Sequence, residues 1–432
     1  MNFFSGLLNT LFERTTEFLP AAIRGGADLH SACHDLLSVK GEVSGVAVAE
    51  HILSLYRNSS DDEKQRFFEF LVDEMDCDLT AVTAALETYT EKRSAEAYSH
   101  FIRTAEPRRR EFFRRLNEAP AATHQLVSMR RDLLGMLREN PRLKVIDIDL
   151  RELFISWFNR GFLVMRPINW QSPAHILEKI IAYEAVHEIS SWDDLRQRLA
   201  PADRRCFAFF HPAMPEEPLI FVEVALTDSL PSSIQQILAE DRPVTPEAAM
   251  DHAVFYSISS CQQGLAGISF GNSLIKTVVA ELSQQHPQLK HFITLSPLPG
   301  FAAWLSRQTL TSGGDKVDAV AYREEHPQES RALAAFYLTQ ARRQDGLPVD
   351  PVSRFHLGNG ASIHEIHEAA DLSPRGQQQS FGLMVNYLYE KDKLVSNHEG
   401  FVRDGIIYAR GKINDLAAKM KTRLGDADKA ES

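Results

Sequence analysis

Cysteine is scarce in this sequence, and what there is lies apart. Cys33, Cys77, Cys206 and Cys261 show none of the paired spacings that zinc or iron–sulfur sites use, so they fit a reducing compartment and assign no metal. Positive charge is also short: 47 Lys and Arg stand against 58 Asp and Glu, a net charge of -11, which removes nucleic acid as an expected partner. No apolar run reaches the roughly 20 residues of a membrane span, and no internal repeat or low-complexity linker interrupts the chain. The opening MNFFSGLLNTLFERTTEFLP has no basic region ahead of its apolar residues, and Glu13 and Glu17 are the acids that transit peptides avoid. With Phe4, Leu7, Leu8, Leu11 and Phe12 on one helical face, it reads as an amphipathic helix. The closing ADKAES matches no peroxisomal or retention signal. The expected location is cytoplasmic, in a bacterium.

What is present is enough for a sizeable core: 432 residues, 44% hydrophobic and 24% charged, suit two or three domains. The first third is helical in pattern. Ser60-Asp61-Asp62-Glu63 offers a capping box ahead of Phe67, Phe68 and Leu71. Further helices are expected at 79–91, 106–117, 121–139, stopped by Asn140-Pro141, and 149–159. The run RRREFFRR, Arg108 to Arg115, reads as a solvated helical face with Phe112 and Phe113 turned inward. Near residue 161 the pattern changes. GFLVMRPINW reads as a strand, and Ser172-Pro173 as a helix start with Ser as cap and Pro in the first turn. RCFAFF, PLIFVEVAL, a helix from near Ser232, AVFYSIS, a helix over 272–285 and HFITLSP then alternate. The fold class is therefore α+β, mixed α/β: an all-helical domain, 1–160, and a mixed domain, 161–432. Within the second, 300–350 reads as a helical insertion, 352–390 as strand and loop, and 411–424 as a closing helix.

Two stretches carry chemistry. In AVFYSISSCQQGLAGISFGNSLIKTVVAEL a strand meets a turn holding Gly264, Gly267 and Gly271, followed by a helix. Glycines admit close backbone approach, and amides at a helix start suit a pyrophosphate. The stretch lacks the Walker lysine pattern and a dinucleotide fingerprint, and taken alone it reads more readily as a plain connection. Ser296, in HFITLSPLP, stands at a strand end between a leucine and two prolines, where a lone hydroxyl ordinarily caps a turn. His364 and His367 in SIHEIHE sit in strand alternation and read as solvated, and His211 reads as a turn residue.

The blocks FYSISSCQQGLAGISFGNSLIK, LSPLPGFAAWL, FHLGNGA, DLSPRG and GLMVNYLY, with HPAMPEEPLIFVEVALT before them, resemble the malonyl-CoA decarboxylase family over about residues 148 to 390. That resemblance implies an N-terminal helical domain used in homo-oligomer contacts and a catalytic domain with the GNAT fold. In that fold coenzyme A lies where two central parallel strands splay, its pyrophosphate on amides of the turn after the fourth strand, here Gln262, Gln263, Gly264, Leu265, Ala266 and Gly267. Cys261 departs from the signature, which prefers Gln or Arg at that position. The resemblance makes Ser296 and His356 the catalytic pair and matches Tyr389 to an active-site tyrosine that donates to substrate oxygen. It implies decarboxylation of malonyl-CoA to acetyl-CoA through a thioester enolate, with coenzyme A part of the substrate and no other cofactor, no metal and no membrane. Ser296 would position substrate or stabilise the oxyanion, and His356, with an ordinary pKa near 6.5, would transfer the proton. An acyl-CoA-dependent N-acetyltransferase and a non-catalytic acyl-CoA-binding regulator share the cofactor turn and remain open as alternatives.

Overall fold

The computed structural model describes residues 28–38, 41–268 and 274–424. The amphipathic start, Gly271 and the polar tail therefore lie outside the described residues. The chain forms two compact units, one from the described part of 1–163 with 211–217 and 262–269, the other from 164–210, 218–261 and the described part of 270–432.

The first unit is built on helices α1 (Leu29–Ser38), α2 (Glu42–Asn58), α3 (Asp61–Asp73), α4 (Leu79–Lys92), α5 (Ala95–Ala105), α6 (Arg108–Leu116), α7 (Ala122–Met136) and α8 (Lys144–Trp157). The capping box at the start of α3 is formed: Ser60 Oγ accepts from the Glu63 amide, and the Glu63 carboxylate accepts from the Ser60 amide at 2.8 Å. Behind it Phe67, Phe68 and Leu71 are buried with Phe112 and Phe113 of α6. The arginine face of α6 differs from a simply solvated one. Arg109 is buried and pairs with Asp149 at 2.6 Å and Asp76 at 3.0 Å, while Arg110 reaches Glu152 and Arg115 reaches Glu111. A buried guanidinium needs such carboxylates, and they come from elements that helical spacing alone does not connect. Helix α8 begins earlier than its apolar pattern suggests, because a 3₁₀ turn, Pro141–Leu143, runs straight into it.

The second unit is a mixed sheet in the order β1-β2-β3-β4-β5-β10-β6, with β9 added on β10. Its strands are β1 (Val164–Ile168), β2 (Arg204–His211), β3 (Met214–Thr227), β4 (His252–Ser260), β5 (His291–Thr294), β6 (Ser296–Pro297), β9 (Ser362–His367) and β10 (Met384–Leu388). Helices α9 (Ala174–Tyr183) and α10 (Trp192–Leu199) pack Ile176, Ile180 and Leu195 against Ala208, Phe210 and Phe221 of the sheet. On a second cluster Ile234 and Ile237 of α11 (Ile234–Leu238) meet Val254, Tyr256 and Ile293. The parallel pair is short: β4 and β5 run together from His252↔His291 to Phe255↔Thr294 and then part. β6 turns away to β10, pairing Ser296 with Val385, so residues 256–260 of β4 have lost their parallel neighbour. A helical front followed by a mixed sheet-and-helix domain with splayed parallel strands is the expected fold class.

Local differences have local causes. Ser172 does not cap α9: its hydroxyl accepts from the Asn169 amide, and Pro173 itself stands at the N-cap. The stretch 300–350 is not all helix. Between α13 (Phe301–Leu305) and α14 (Ala319–Glu325) lies a hairpin of β7 (Thr309–Ser312) and β8 (Asp315–Asp318), turned by Gly313 and Gly314 at φ 62° and 98°. Two glycines with positive φ between alternating strands are a hairpin signal that the flanking helices mask. α15 (Ser330–Thr339) follows. The stretch 352–390 carries two helices besides its strands, α16 (Pro351–Gly358) and α17 (Pro374–Ser380), each opened by a capping Asp350 or Ser373 and a proline at N1. Helix α18 (Leu394–Asp404) was not legible, whereas the closing helix, α19 (Gly411–Leu424), lies where expected. α12 (Leu274–Gln285) links β4 to β5.

The capping box allows a direct test. Ser60→Ala removes the acceptor at N3 and should lower the stability of the helical unit by about 1 kcal/mol in chemical denaturation; an unchanged midpoint would show that α3 is held by its buried phenylalanines alone.

Candidate active site

His356 is placed by α16, and α16 is placed by its cap. Asp350, fully buried, accepts from the Ser353 amide at 2.7 Å and from the Tyr337 phenol at 3.1 Å, and burial pushes its carboxyl up to about 6. The helix then turns His356, two turns on, into the sheet, where the imidazole stacks on Tyr387 of β10 with ring centroids 4.5 Å apart. Only 2% of His356 is exposed.

Both ring nitrogens are engaged. Nδ1 lies 2.7 Å from the Tyr389 hydroxyl and Nε2 lies 3.1 Å from Ser296 Oγ. The Tyr389 phenol is buried, has no other partner among the described residues and has its pKa pushed well above 10 by burial, so it is the donor. Nδ1 is therefore the acceptor, and Nε2 carries the imidazole proton and donates to Ser296 Oγ. Ser296 in turn donates to Thr294 Oγ1 at 2.8 Å, which also accepts from the Tyr387 amide at 3.1 Å. The chain of donors runs one way, from phenol to threonine. Burial also lowers the His356 pKa to about 3, so the expectation of an imidazole titrating near 6.5 is corrected: at neutral pH the ring is uncharged.

A cavity of about 260 Å³ opens beside this pair where β4 and β5 part. Its wall is mostly apolar, with Val186, Ile220, Phe255, Ile258, Val352 and Phe355, and among the described residues neither lysine, arginine, aspartate nor glutamate lines it. Val186 is held in place by Glu184, whose carboxylate accepts from the amides of Val186 and His187 and from the hydroxyl of Ser257 on β4. Tyr389 does not line this cavity; it reaches the site through His356.

The glycine turn has a different neighbourhood. Gln263–Leu265 forms a 3₁₀ turn packed on α7, and a Cβ on Gly264 would sit 1.9 Å from the Val127 carbonyl oxygen, so this glycine answers to helix packing. Gly267 has φ 74° and answers to backbone conformation. The amides of Leu265 and Ala266 are spent inside the turn, on the carbonyls of Gln262 and Gln263. Gln262 is buried and Gln263, Ala266 and Gly267 are exposed.

The remaining histidines stand apart from this site. His364 is the extra residue where the pairing of β9 with β10 shifts register, and His367, three residues on, bonds Asn386. His211 ends β2, accepting from the Ala213 amide, and packs on Phe158. Among the described residues no three His, Cys, Asp or Glu side chains gather where a metal could be held, and none of the four cysteines is bonded to another. Thr294 was missed in the sequence, although it stands two residues before Ser296, the spacing that puts strand side chains on one face.

Residues 161–427 match the malonyl-CoA decarboxylase C-terminal domain and residues 75–158 its N-terminal domain. The chain belongs to the malonyl-CoA decarboxylase family. The mitochondrial malonyl-CoA decarboxylase of Anser anser anser is 36% identical over 337 residues, 68% of this chain and 66% of the goose protein. That of Mus musculus is 33% identical over 356 residues, 73% of this chain and 72% of the mouse protein. Among solved structures, malonyl-CoA decarboxylase from Rhodopseudomonas palustris is 45% identical with a TM-score of 0.85, covering 90% of this chain and 98% of its own. The one from Cupriavidus metallidurans is 36% identical with a TM-score of 0.71, over the same shares. The malonyl-CoA decarboxylases are carboxy-lyases, and the resemblance read from the sequence blocks is thereby borne out.

A neutral buried His356 has a pH consequence. The unfolded chain titrates near 6.5 while the folded ring does so only at about 3, so the unfolded state binds the extra proton in that interval. Stability from His356 is thus intact above the unfolded pKa and is lost as pH falls toward the folded one. His356→Gln should lose less stability than the parent between pH 7 and pH 5 in urea denaturation; equal losses would place the imidazole in a more solvated setting.

Proposed function

We propose that this protein converts malonyl-CoA to acetyl-CoA and carbon dioxide, and that Ser296 and His356 carry the chemistry. The observation that supports this most is a proton-donating, uncharged imidazole and a hydroxyl side by side in an apolar cavity with no cationic side chain among the described residues. A β-carbonyl carboxylate loses carbon dioxide by sending its electron pair into the thioester carbonyl, so the substrate supplies its own electron sink and the reading needs no metal, pyridoxal or biotin. A carboxylate among Val186, Ile258 and Phe355 has no positive charge to hold it, whereas the departing carbon dioxide is neutral and suits the same wall. The developing oxyanion needs a donor, which Ser296 provides by turning its hydroxyl from Thr294 to the thioester oxygen.

The new carbanion needs one proton. His356 Nε2 delivers it while the Tyr389 proton moves to Nδ1, so that the ring does not become an anion; the proton then returns from Nδ1 to the phenolate as solvent reprotonates Nε2, and overall one proton is consumed for each carbon dioxide released. In this reading Tyr389 serves the ring and not the substrate oxygen. An N-acetyltransferase would instead require a base in the cavity to accept an amine proton, and an imidazole donating through Nε2 is poised the other way. The pyrophosphate of coenzyme A is assigned to the turn from Gln262 to Gly267 that follows β4. Association of the helical front into a homo-oligomer and a cytoplasmic location belong to the same proposal. Among the described residues no helix is long and apolar enough to cross a membrane, and the goose and mouse relatives are named mitochondrial.

Purified protein with malonyl-CoA, without amine or metal, should yield equal amounts of acetyl-CoA and carbon dioxide. Ser296→Ala should lower kcat by roughly a hundredfold with KM little changed, because a donor to developing charge matters in the transition state. His356→Asn should fall at least as far, and the double variant scarcely further if the two act as a unit. Near-parental kcat in a folded Ser296→Ala protein would return that hydroxyl to a strand-end cap.

A further inference from the structure

Arg130 of α7 is 2% exposed, and it spends its donors on one carboxylate and two carbonyls. Its Nε lies 2.8 Å from Asp147 Oδ1, and its Nη1 lies 2.7 Å from the Gly264 oxygen and 3.0 Å from the Ala266 oxygen. A guanidinium so buried and so committed fixes the turn it touches. Gly264 reinforces the fixation from the other side, since no side chain fits between that turn and the Val127 carbonyl. In a planar trans peptide the carbonyl of one residue and the amide of the next point in opposite directions. Holding the Ala266 carbonyl toward Arg130 therefore turns the Gly267 N–H outward, at an exposed residue, and that N–H has no acceptor among the described residues. The neighbouring peptide is held likewise: Arg151 of α8 brings Nε to 3.4 Å from the Gly267 oxygen. The rest of the Arg151 guanidinium is exposed and has no acceptor among the described residues. An outward amide and an unpaired guanidinium at one turn form an anion-binding arrangement.

We infer that two arginines serve the pyrophosphate turn: Arg130 as the positioning residue that presents the Gly267 amide, and Arg151 as a charged contact for the pyrophosphate. This rests on the assignment of the 262–267 turn to the pyrophosphate and deepens it. Arg130 is neutralised by Asp147, so its contribution is geometric; Arg151 carries the unpaired charge.

The test compares two substrates, malonyl-CoA and malonyl-pantetheine, which share the reacting thioester but differ in the pyrophosphate and nucleotide. In the parent the ratio of their kcat/KM values should favour malonyl-CoA. Arg151→Met, at an exposed position that should fold, is expected to lower that ratio by about tenfold and to weaken the salt dependence of KM for malonyl-CoA. Arg130→Lys keeps the charge but not the fork that spans two carbonyls, and should lower the ratio at least as far. A merely structural role would depress both substrates together and leave the ratio as it was. Gly267→Val, which disturbs the presented amide itself, separates the role of the arginines from that of the turn. If it lowers the ratio while the arginine variants do not, the arginine assignment is overturned and the turn keeps the pyrophosphate. If none of the three lowers it, the turn is not the pyrophosphate site and both assignments fall. Should Arg130→Lys prove unstable in thermal denaturation, the Arg151→Met ratio alone decides whether the pyrophosphate has a charged contact at this turn.

Discussion

The 2.7 Å hydrogen bond from the Tyr389 phenol to Nδ1 of His356 orders the rest of the site. A buried imidazole can point its one proton to either side, and only a donor on Nδ1 obliges it to stand on Nε2. From there the polarity passes to Ser296 and on to Thr294. The same burial that isolates the phenol removes water from the ring and keeps it uncharged, so the tautomer and the protonation state have one cause. In the proposed reaction a charged imidazolium would hold the substrate carboxylate and oppose its loss. A neutral donor does neither.

The sheet supplies the geometry that this bond exploits. Because β5 stops pairing with β4 after Thr294 and the chain crosses to β10, Ser296 comes off the strand at the mouth of the gap while Thr294 remains inside it. β10 in turn brings Tyr387 to the face of the imidazole and Tyr389 to its edge, two residues apart on one face of the chain. His356 reaches them from a helix, not from a strand, and that helix is oriented by the buried Asp350 at its cap. Three elements distant in sequence thus meet at one ring.

Sequence legibility followed the range of the interactions. Local signals were sound: the capping box at Ser60, the strand-turn-helix after His252 and the closing helix from Gly411 all depend on residues within a few positions of one another. The pairing of Ser296 with His356, 60 residues apart, was available only through resemblance to a family, and the tautomer was not available at all because it depends on where a phenol lands. The glycines of the turn suggest a close approach to ligand, yet Gly264 is explained by the Val127 carbonyl, a contact across 137 positions that leaves no trace in spacing. Arg130 was lost among helical residues for the same reason. Its side chain is polar on a helix whose apolar pattern is otherwise regular, and burial alone distinguishes it from a solvated arginine.

The claim on which the account turns is that His356 is a neutral imidazole with its proton on Nε2. Nitrogen NMR of protein labelled at histidine, with the signal assigned by its absence in His356→Asn, reads that state directly. The account predicts one imidazole with a protonated Nε2 and a bare Nδ1 that keeps this pattern from pH 8 down to pH 5. A His356 signal that titrates near pH 6.5, or that shows its proton on Nδ1, would contradict it.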